Sequence, residues 1–204
     1  MNIRNVMTVL FLATVPALLM QACGGILTSE NAAKQYYLLQ PLEAPAPRAD
    51  AAQRHALSVN VTAVPGLDTD RIMALGADAR LNRYSNARWP HHLPEVLTSV
   101  LRRSLEATGS YVTGESSGHG ADNWRLQLEA RKFYGLQDAA GETGSVAVEL
   151  AGSLSCGTPA HPVRLTASSG VGEQRLSVVV AAHQTALDSI TSDLLALIGD
   201  HCDH

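Results

Sequence analysis

The chain begins with an apolar run that limits what the rest of it can fold into. Residues 6–20 (VMTVLFLATVPALLM) carry no charged side chain, and Arg4 is the only charged residue before them. A short basic start, an apolar stretch and small residues around Cys23 are typical of a secretory signal peptide. The run is too short, and too interrupted by Pro16, for a transmembrane helix. We therefore expect a leader over residues 1–22 and a folded domain after it.

Cys23 gives this leader a more specific interpretation. The region resembles a bacterial lipoprotein signal, in which the cysteine thiol is acylated and becomes the new N-terminus. Gly24, rather than an aspartate, follows the cysteine, which suggests sorting to the outer membrane. The alternative is an ordinary signal peptide in which Cys23 has no role. Residues 23–35 then form a tether that spans at most roughly 40 Å when fully extended.

The composition after the leader fits one domain over residues 36–204, with a loop rich in proline and alanine at residues 41–56. The whole chain has 15 basic and 19 acidic residues and a net charge of −4. Without a clustered basic stripe, this balance excludes nucleic acid as an expected partner. The same net charge argues against binding to anionic lipid through charge, so the acyl chains would supply membrane attachment.

Hydrophobic periodicity predicts an α+β fold. Apolar residues alternate over residues 57–64, 124–131 and 146–156, which indicates half-buried strands, and weaker strands are expected at 36–39, 71–75 and 111–112. Leucine and valine recur at helical spacing over residues 93–105. Residues 81–89 show no clean period. We expect a mostly antiparallel or mixed sheet with two amphipathic helices packed on one face.

The C-terminal quarter is interpreted as a strand followed by a helix. Residues 175–182 (RLSVVVAA) are apolar enough for a central strand. The last helix then starts near Thr185, which with Asp188 resembles a capping box. Its buried stripe is expected to be Leu187, Ile190, Leu194, Leu197 and Ile198.

Motifs for catalysis or metal binding are missing from the sequence. It contains no G-x-x-x-x-G-K and no H-E-x-x-H, and its one G-x-S-x-G match, residues 114–118 (GESSG), lies in a glycine-rich loop without the strand and helix that a nucleophile elbow needs. His91 and His92 are adjacent and point in different directions on any regular element, and the tail 201–204 (HCDH) follows a helix end. A zinc site needs three or four ligands that a second layer of residues holds in place. We expect no enzyme activity, no metal and no cofactor apart from the covalent lipid.

Two cysteines remain in the folded region. Cys156 is in phase with Val146, Val148 and Leu150 on the inward face of its strand, and Cys202 follows a helix whose stripe faces the same core. A disulfide would pin the last helix to the sheet, and an even number of cysteines suits an oxidising compartment. Two free thiols are the alternative.

A series of motifs runs in a distinctive order from the leader to the first predicted helix. The acylatable cysteine and tether lead to Tyr36-Tyr37-Leu38-Leu39, then to residues 57–61 before Val64-Pro65, and to residues 67–72 (LDTDRI). Three more features follow, namely Tyr84, Arg88-Trp89 and the helix start at 93–97. This order resembles the ABC-type transport auxiliary lipoprotein family, whose best-known type serves the paraquat-inducible Pqi intermembrane transport system. The residues that carry the resemblance are Tyr36, Tyr37, Leu38, Pro65, Arg71, Tyr84, Arg88 and Trp89.

The resemblance implies a non-enzymatic protein on a lipid anchor in the periplasm. Its partner would be an MCE-domain (mammalian cell entry) protein of an inner-membrane ABC system that moves lipid or other apolar substrates. The motif residues would be structural or partner-facing, with Trp89 a buried anchor at the helix entrance and Arg71 and Arg88 its polar neighbours. A lipoprotein that binds its own small apolar ligand or metal is the alternative. Homo-oligomerisation stays open.

Overall fold

A computed structural model describes residues 33–43, 55–113, 124–157 and 159–202. Lys34–His204 form one compact unit. The predicted leader, Cys23 and all but the last residues of the tether lie outside the described residues. So does most of the predicted loop at 41–56.

Eight strands and two helices make up the described chain. The strands are β1 (Gln35–Tyr36), β2 (His55–Ala63), β3 (Arg71–Leu75), β4 (Leu81–Arg88), β5 (Tyr111–Thr113), β6 (Trp124–Gln137), β7 (Thr143–Ser155) and β8 (His161–Gly170). The helices are α1 (Leu93–Ala107), between β4 and β5, and α2 (Leu176–Cys202), after β8. The structure confirms the predicted α+β class, with one mixed sheet.

The long strand β6 organises this sheet. Along one edge it pairs antiparallel with β7, which pairs antiparallel with β8. Along the other edge it pairs parallel with β2 through residues 124–130 and with β3 through residues 134–136. Beyond β2 lies β5, and beyond β3 lie β4 and then β1. The parallel pairs are possible because α1 and the long connections carry the chain back across the sheet.

One face of the sheet and both helices enclose the core. On β6 the inward residues are Trp124, Leu126, Leu128 and Ala130, and a register shift between Ala130 and Lys132 then brings Phe133 to the same face. These residues and the buried stripes of α1 and α2 form one apolar cluster. Burying side chains of this size contributes about 1.5–3 kcal/mol each. The predicted packing of both helices on one face is confirmed.

Helix α1 forms where its periodicity predicted it. Its buried residues recur at helical spacing and include Val96, Leu97, Val100 and Leu101. Pro94 lies in the first turn, where its missing N–H costs nothing. After the last turn, Gly109 adopts a φ of 75°, which is the left-handed conformation that ends many helices.

The predicted strand over residues 175–182 is wrong, because Leu176–Ala182 form the first two turns of α2. Three consecutive valines favour a strand by propensity, but Val179, Val180, Ala182 and His183 bury one helical face instead. Tertiary packing of that face outweighs the weak local preference. The predicted capping box is wrong for the same reason. Thr185 lies inside the helix and donates its hydroxyl to the carbonyl of Ala181.

Strand β8 has no counterpart in the sequence prediction. Its inward residues Val163, Leu165 and Ala167 do alternate, but Pro162 and the serines weaken the pattern. Strand β4 lacks a period because nearly all of its residues are exposed or half-exposed. No helix in the part of the chain that the structure describes is long and apolar enough to cross a membrane.

Candidate functional site

The short strand β1 meets the end of β4, and most of the motif residues come together there. Tyr36 lies opposite Arg88, and Arg88 lies opposite Arg71 on β3. The next backbone amide, that of Tyr37, donates to the carbonyl of Arg88 at 2.9 Å. We call Tyr36, Tyr37, Leu38, Arg71, Arg88 and Trp89 the motif cluster.

Asp70 is the polar centre of the motif cluster. Its carboxylate accepts a hydrogen bond from Nη1 of Arg88, and its second oxygen lies 3.6 Å from Nε of Arg71. Two guanidinium groups therefore share one carboxylate, which leaves this corner of the sheet with excess positive charge. Asp70 was not singled out in the sequence analysis. Its signal would have been its position directly before Arg71, in a loop where aspartate often accepts local hydrogen bonds.

The same loop fixes the start of α1. The amide of Trp89 donates to the carbonyl of Asp70 at 2.8 Å, and the amide of Leu93 donates to the carbonyl of Thr69 at 3.0 Å. The indole of Trp89 is 1% exposed and packs edge-on against Phe133 and His183. The Arg88-Trp89 pair thus joins a largely buried guanidinium, on a side chain that is 14% exposed, to a core anchor.

The motif at the N-terminal edge divides between two faces. Leu39 is buried and Tyr37 packs against the core, whereas Tyr36 and Leu38 are 59% and 63% exposed. Alternation along an extended segment produces this division. Packing of the fold accounts for Tyr37 and Leu39, but it does not account for the exposed pair.

Tyr84 and Pro65 lie apart from the motif cluster. The hydroxyl of Tyr84 is 2.5 Å from Oγ1 of Thr143, and burial raises the pKa of this phenol. A Cβ on Gly135 would meet the same hydroxyl, so a glycine is required there. Pro65 is exposed in the turn after β2. These two positions serve the fold at other points of the sheet.

His183 is a buried polar residue that sequence reasoning missed. It is fully buried on α2, its Nδ1 is 2.9 Å from the carbonyl of Val179, and its Nε2 has no hydrogen-bond partner. Because a carbonyl can only accept, Nδ1 carries the proton. Burial lowers the pKa of this imidazole to about 4, against a smaller upward effect of the hydrogen bond to Val179. His183 is therefore neutral at physiological pH.

Glu149 is a second buried ionisable residue, on the sheet face away from the helices. Its side chain is 4% exposed, and its two oxygens lie 2.8 Å from Nζ of Lys132 and 2.8 Å from a terminal nitrogen of Arg164. The hydrogen bond from Lys132 is the main reason that the pKa of Glu149 is lowered, and the same bond raises the pKa of Lys132. The carboxylate is ionised and doubly paired.

The grooves of the described surface are polar and open. An open groove of about 570 Å³ lies between β2 and α1 and is lined by residues such as Thr98, Arg102 and Glu106.

His91 pairs with Glu95 and His92 with Asp68, so the adjacent histidines point to different carboxylates. Within residues 33–43, 55–113, 124–157 and 159–202, no three metal-ligating side chains come together.

Comparison with protein families found a family model that covers every residue of the motif cluster. The family model for the ABC-type transport auxiliary lipoprotein component matches residues 36–194, which run from β1 into α2. Comparison with curated proteins found no match.

Two solved structures share the fold. One is the crystal structure of protein XCC0632 from Xanthomonas campestris, of the DUF330 family, with a TM-score of 0.65 and 19% sequence identity. It covers 80% of this chain and 94% of that chain. The other is the crystal structure of an uncharacterized protein, with a TM-score of 0.66, 15% identity and coverage of 82% and 99%. At such identities the likeness concerns the fold alone.

Proposed function

The chain belongs to the ABC-type transport auxiliary lipoprotein family, and we propose that it is the lipid-anchored accessory subunit of an MCE-type intermembrane transport system, such as the Pqi system. The family ties the protein to ABC transport. In the proposed role the domain binds an MCE-domain protein and tethers it near a membrane. It turns over no substrate and needs no cofactor beyond the lipid on Cys23.

The observation that carries this proposal is the family match across the whole sheet and most of α2. The exposure of part of the motif cluster supports a role in contact rather than a purely structural role. Tyr36 and Leu38 face solvent although the fold does not need them there. Exposed tyrosine and leucine at a motif position favour a role in contact with another molecule over a role in packing.

The location follows from the leader. Acylation of Cys23 would place the domain on a tether of about twelve residues, and Gly24 after the cysteine favours the periplasmic face of the outer membrane. Two or more acyl chains anchor a protein durably, because each buried methylene contributes about 0.8 kcal/mol. A protein tethered in this way can meet a partner that extends from the inner membrane.

Cross-linking in whole cells tests the proposal. Cells that express the intact protein should yield a cross-linked MCE-domain protein, and depletion of ATP should leave the yield unchanged, because the contact is not part of a turnover cycle. The Cys23→Ser variant should no longer label with fatty acid or fractionate with the outer membrane. Its yield of cross-linked partner should fall because the local concentration is lost.

Two outcomes would contradict the proposal. If Cys23→Ser still fractionates with the outer membrane and labels with fatty acid, the lipoprotein interpretation is wrong. If no MCE-domain protein is recovered and the purified domain carries stoichiometric lipid or metal, the protein binds its own ligand.

A further inference from the structure

The sheet face away from the helices has an apolar strip at the end nearest β1. Leu75 on β3 lies between Leu81 on β4 and Leu136 on β6, and these two leucines are 39% and 38% exposed. The adjacent row places Met73 between Arg83 and Tyr134. Burial alternates along β3 so that Ile72 and Ala74 face the core, which puts both rows on the opposite face.

The register across β3, β4 and β1 extends this strip to the motif cluster. Arg71 is on the same side of β3 as Met73, and it lies opposite Arg88, which lies opposite Tyr36. We call Tyr36, Leu38, Arg71, Met73, Leu75, Leu81, Arg83, Tyr134 and Leu136 the edge patch. No helix in the described ranges packs on this face, since the buried stripes of α1 and α2 belong to the core cluster on the other side.

The charge on this face is opposite in sign to that of the chain. The edge patch and the charged side chains that pair with it carry three arginines and one carboxylate, namely Arg71, Arg83 and Arg88 against Asp70. The whole chain has a net charge of −4. Helix α2, in the layer behind the sheet, carries Asp188, Asp193 and Asp200 and no lysine or arginine. The net charge of the whole chain does not reveal this separation of basic and acidic surfaces.

We propose that the edge patch lies on an anionic phospholipid surface. Leucine side chains would enter the boundary between head groups and acyl chains, tyrosine hydroxyls would stay at the head groups, and arginines would bind phosphate. The acidic helix α2 would face away from the membrane. Partner binding would then fall to the remaining surfaces of the domain.

The place where the chain enters the domain favours lipid over a protein as the occupant. Gln35 begins β1, the outermost strand on the side of the edge patch, and Cys23 precedes it by twelve residues. A tether of this length reaches at most roughly 40 Å, so an acyl anchor there keeps the patch within reach of the bilayer. The inference rests on the proposed function only through this anchor.

Vesicle sedimentation without the anchor tests the inference apart from the proposed function. The probe is the chain from residue 23 onward with Cys23→Ser, whose core lies within the described residues. It should bind vesicles that contain phosphatidylglycerol, bind poorly to phosphatidylcholine alone, and dissociate at high salt. Arg83→Gln should weaken binding about fivefold, and Leu136→Ser should weaken it further. Both side chains are partly exposed, so thermal melting should confirm that the variants fold.

Matched controls come from the far end of the same sheet face. Arg125→Gln on β6 and Val112→Ser on β5 also remove an arginine and an apolar side chain, but at positions away from the edge patch. Both variants should leave vesicle binding unchanged. Equal binding to both vesicle types, or equal losses in the controls, would overturn the inference. A second pair of results would also overturn the inference: Arg83→Gln abolishes cross-linking to an MCE-domain protein, and the unacylated protein does not bind anionic vesicles. The edge patch would then be a protein contact. Failure of partner capture with intact vesicle binding would contradict only the proposed function.

Discussion

The imidazole of His183 lies 4.9 Å from the ring of Phe133, centroid to centroid, in the core between α2 and the sheet. Trp89 approaches the same imidazole edge-on at 5.9 Å. No carboxylate in the described chain contacts this ring, so nothing stabilises its protonated form beyond the carbonyl of Val179. A histidine in this environment couples the stability of the domain to pH.

The first prediction is that the domain loses stability as the pH falls below the ordinary histidine range. The pKa of His183 is lowered from 6.5 to about 4 in the folded state, so between these values the unfolded chain binds the additional proton. The contribution of neutral His183 to the free energy of unfolding is therefore complete above the pKa of the unfolded state, and it is lost as the pH falls toward about 4. We expect the free energy of unfolding in urea to be about 2 kcal/mol lower at about pH 5 than at about pH 7.

Two variants isolate this effect. His183→Leu keeps an apolar side chain of similar volume and should flatten the dependence of stability on pH. His91→Gln removes a histidine whose side chain is 72% exposed and should leave the dependence unchanged. An identical slope in the wild type and in His183→Leu would show that other groups cause it.

The second prediction concerns the close approach of β6 and β7 at Gly152. A Cβ at this position would overlap the carbonyl oxygen of Gln127 and come within 3.0 Å of Cα of Leu128, and both are backbone atoms. Gly152→Ala should therefore destabilise the domain by about 2–3 kcal/mol, because the strands must separate. Gly144→Ala is the control, since a Cβ there meets nothing within 4 Å. Urea denaturation measures both, and equal effects would contradict the close approach.

The third prediction compares two ion pairs on the same sheet face. Glu149 and Glu129 each have a basic partner at 2.8 Å, but their side chains are 4% and 42% exposed. Glu149→Gln should cost about 1–2 kcal/mol, because it leaves Lys132 and Arg164 without the buried carboxylate they share. Glu129→Gln should change stability by less than about 0.5 kcal/mol. If the two variants lose the same amount in urea denaturation, burial is not what gives the Glu149 pairs their strength.

Elements with a clear period could be predicted from the sequence, and those that depend on distant packing could not. Alternation identified β2, β6 and β7, and a leucine stripe identified α1, because each buries one face of its own. The sequence predicts a strand where α2 has its first turns, because Val178–Val180 have strand propensity. The buried face of the helix becomes apparent only when it packs on β7 and β8. The long β6 ladder, with parallel neighbours on one edge, is equally a product of pairing between distant segments.

The candidate site shows the same division. Trp89 could be named from its position before a helix, and the arginines from the motif. Asp70 lies 18 residues from Arg88 in the sequence, and His183 lies 94 residues from Trp89, so no local pattern connects either pair. The edge patch depends on three strands brought together by register, so its charge and apolar area are invisible in the net composition.

The last prediction concerns Cys156 and Cys202, which the structure joins in a disulfide between the end of β7 and the last turn of α2, with Cα atoms 5.5 Å apart. This separation falls within the range that a disulfide can bridge without backbone movement. Protein isolated from the periplasm should show no free thiol at either position, so alkylation without a reductant should modify neither. The bond closes a loop of 46 residues, and the variant with both cysteines changed to serine should be less stable by about 3–4 kcal/mol in the chain-entropy model. Reduction of the wild type should produce the same loss in urea denaturation, and the double variant should not respond to reductant. Alkylation of both cysteines in the untreated protein would show that the thiols are free and that α2 is held to the sheet by apolar packing alone.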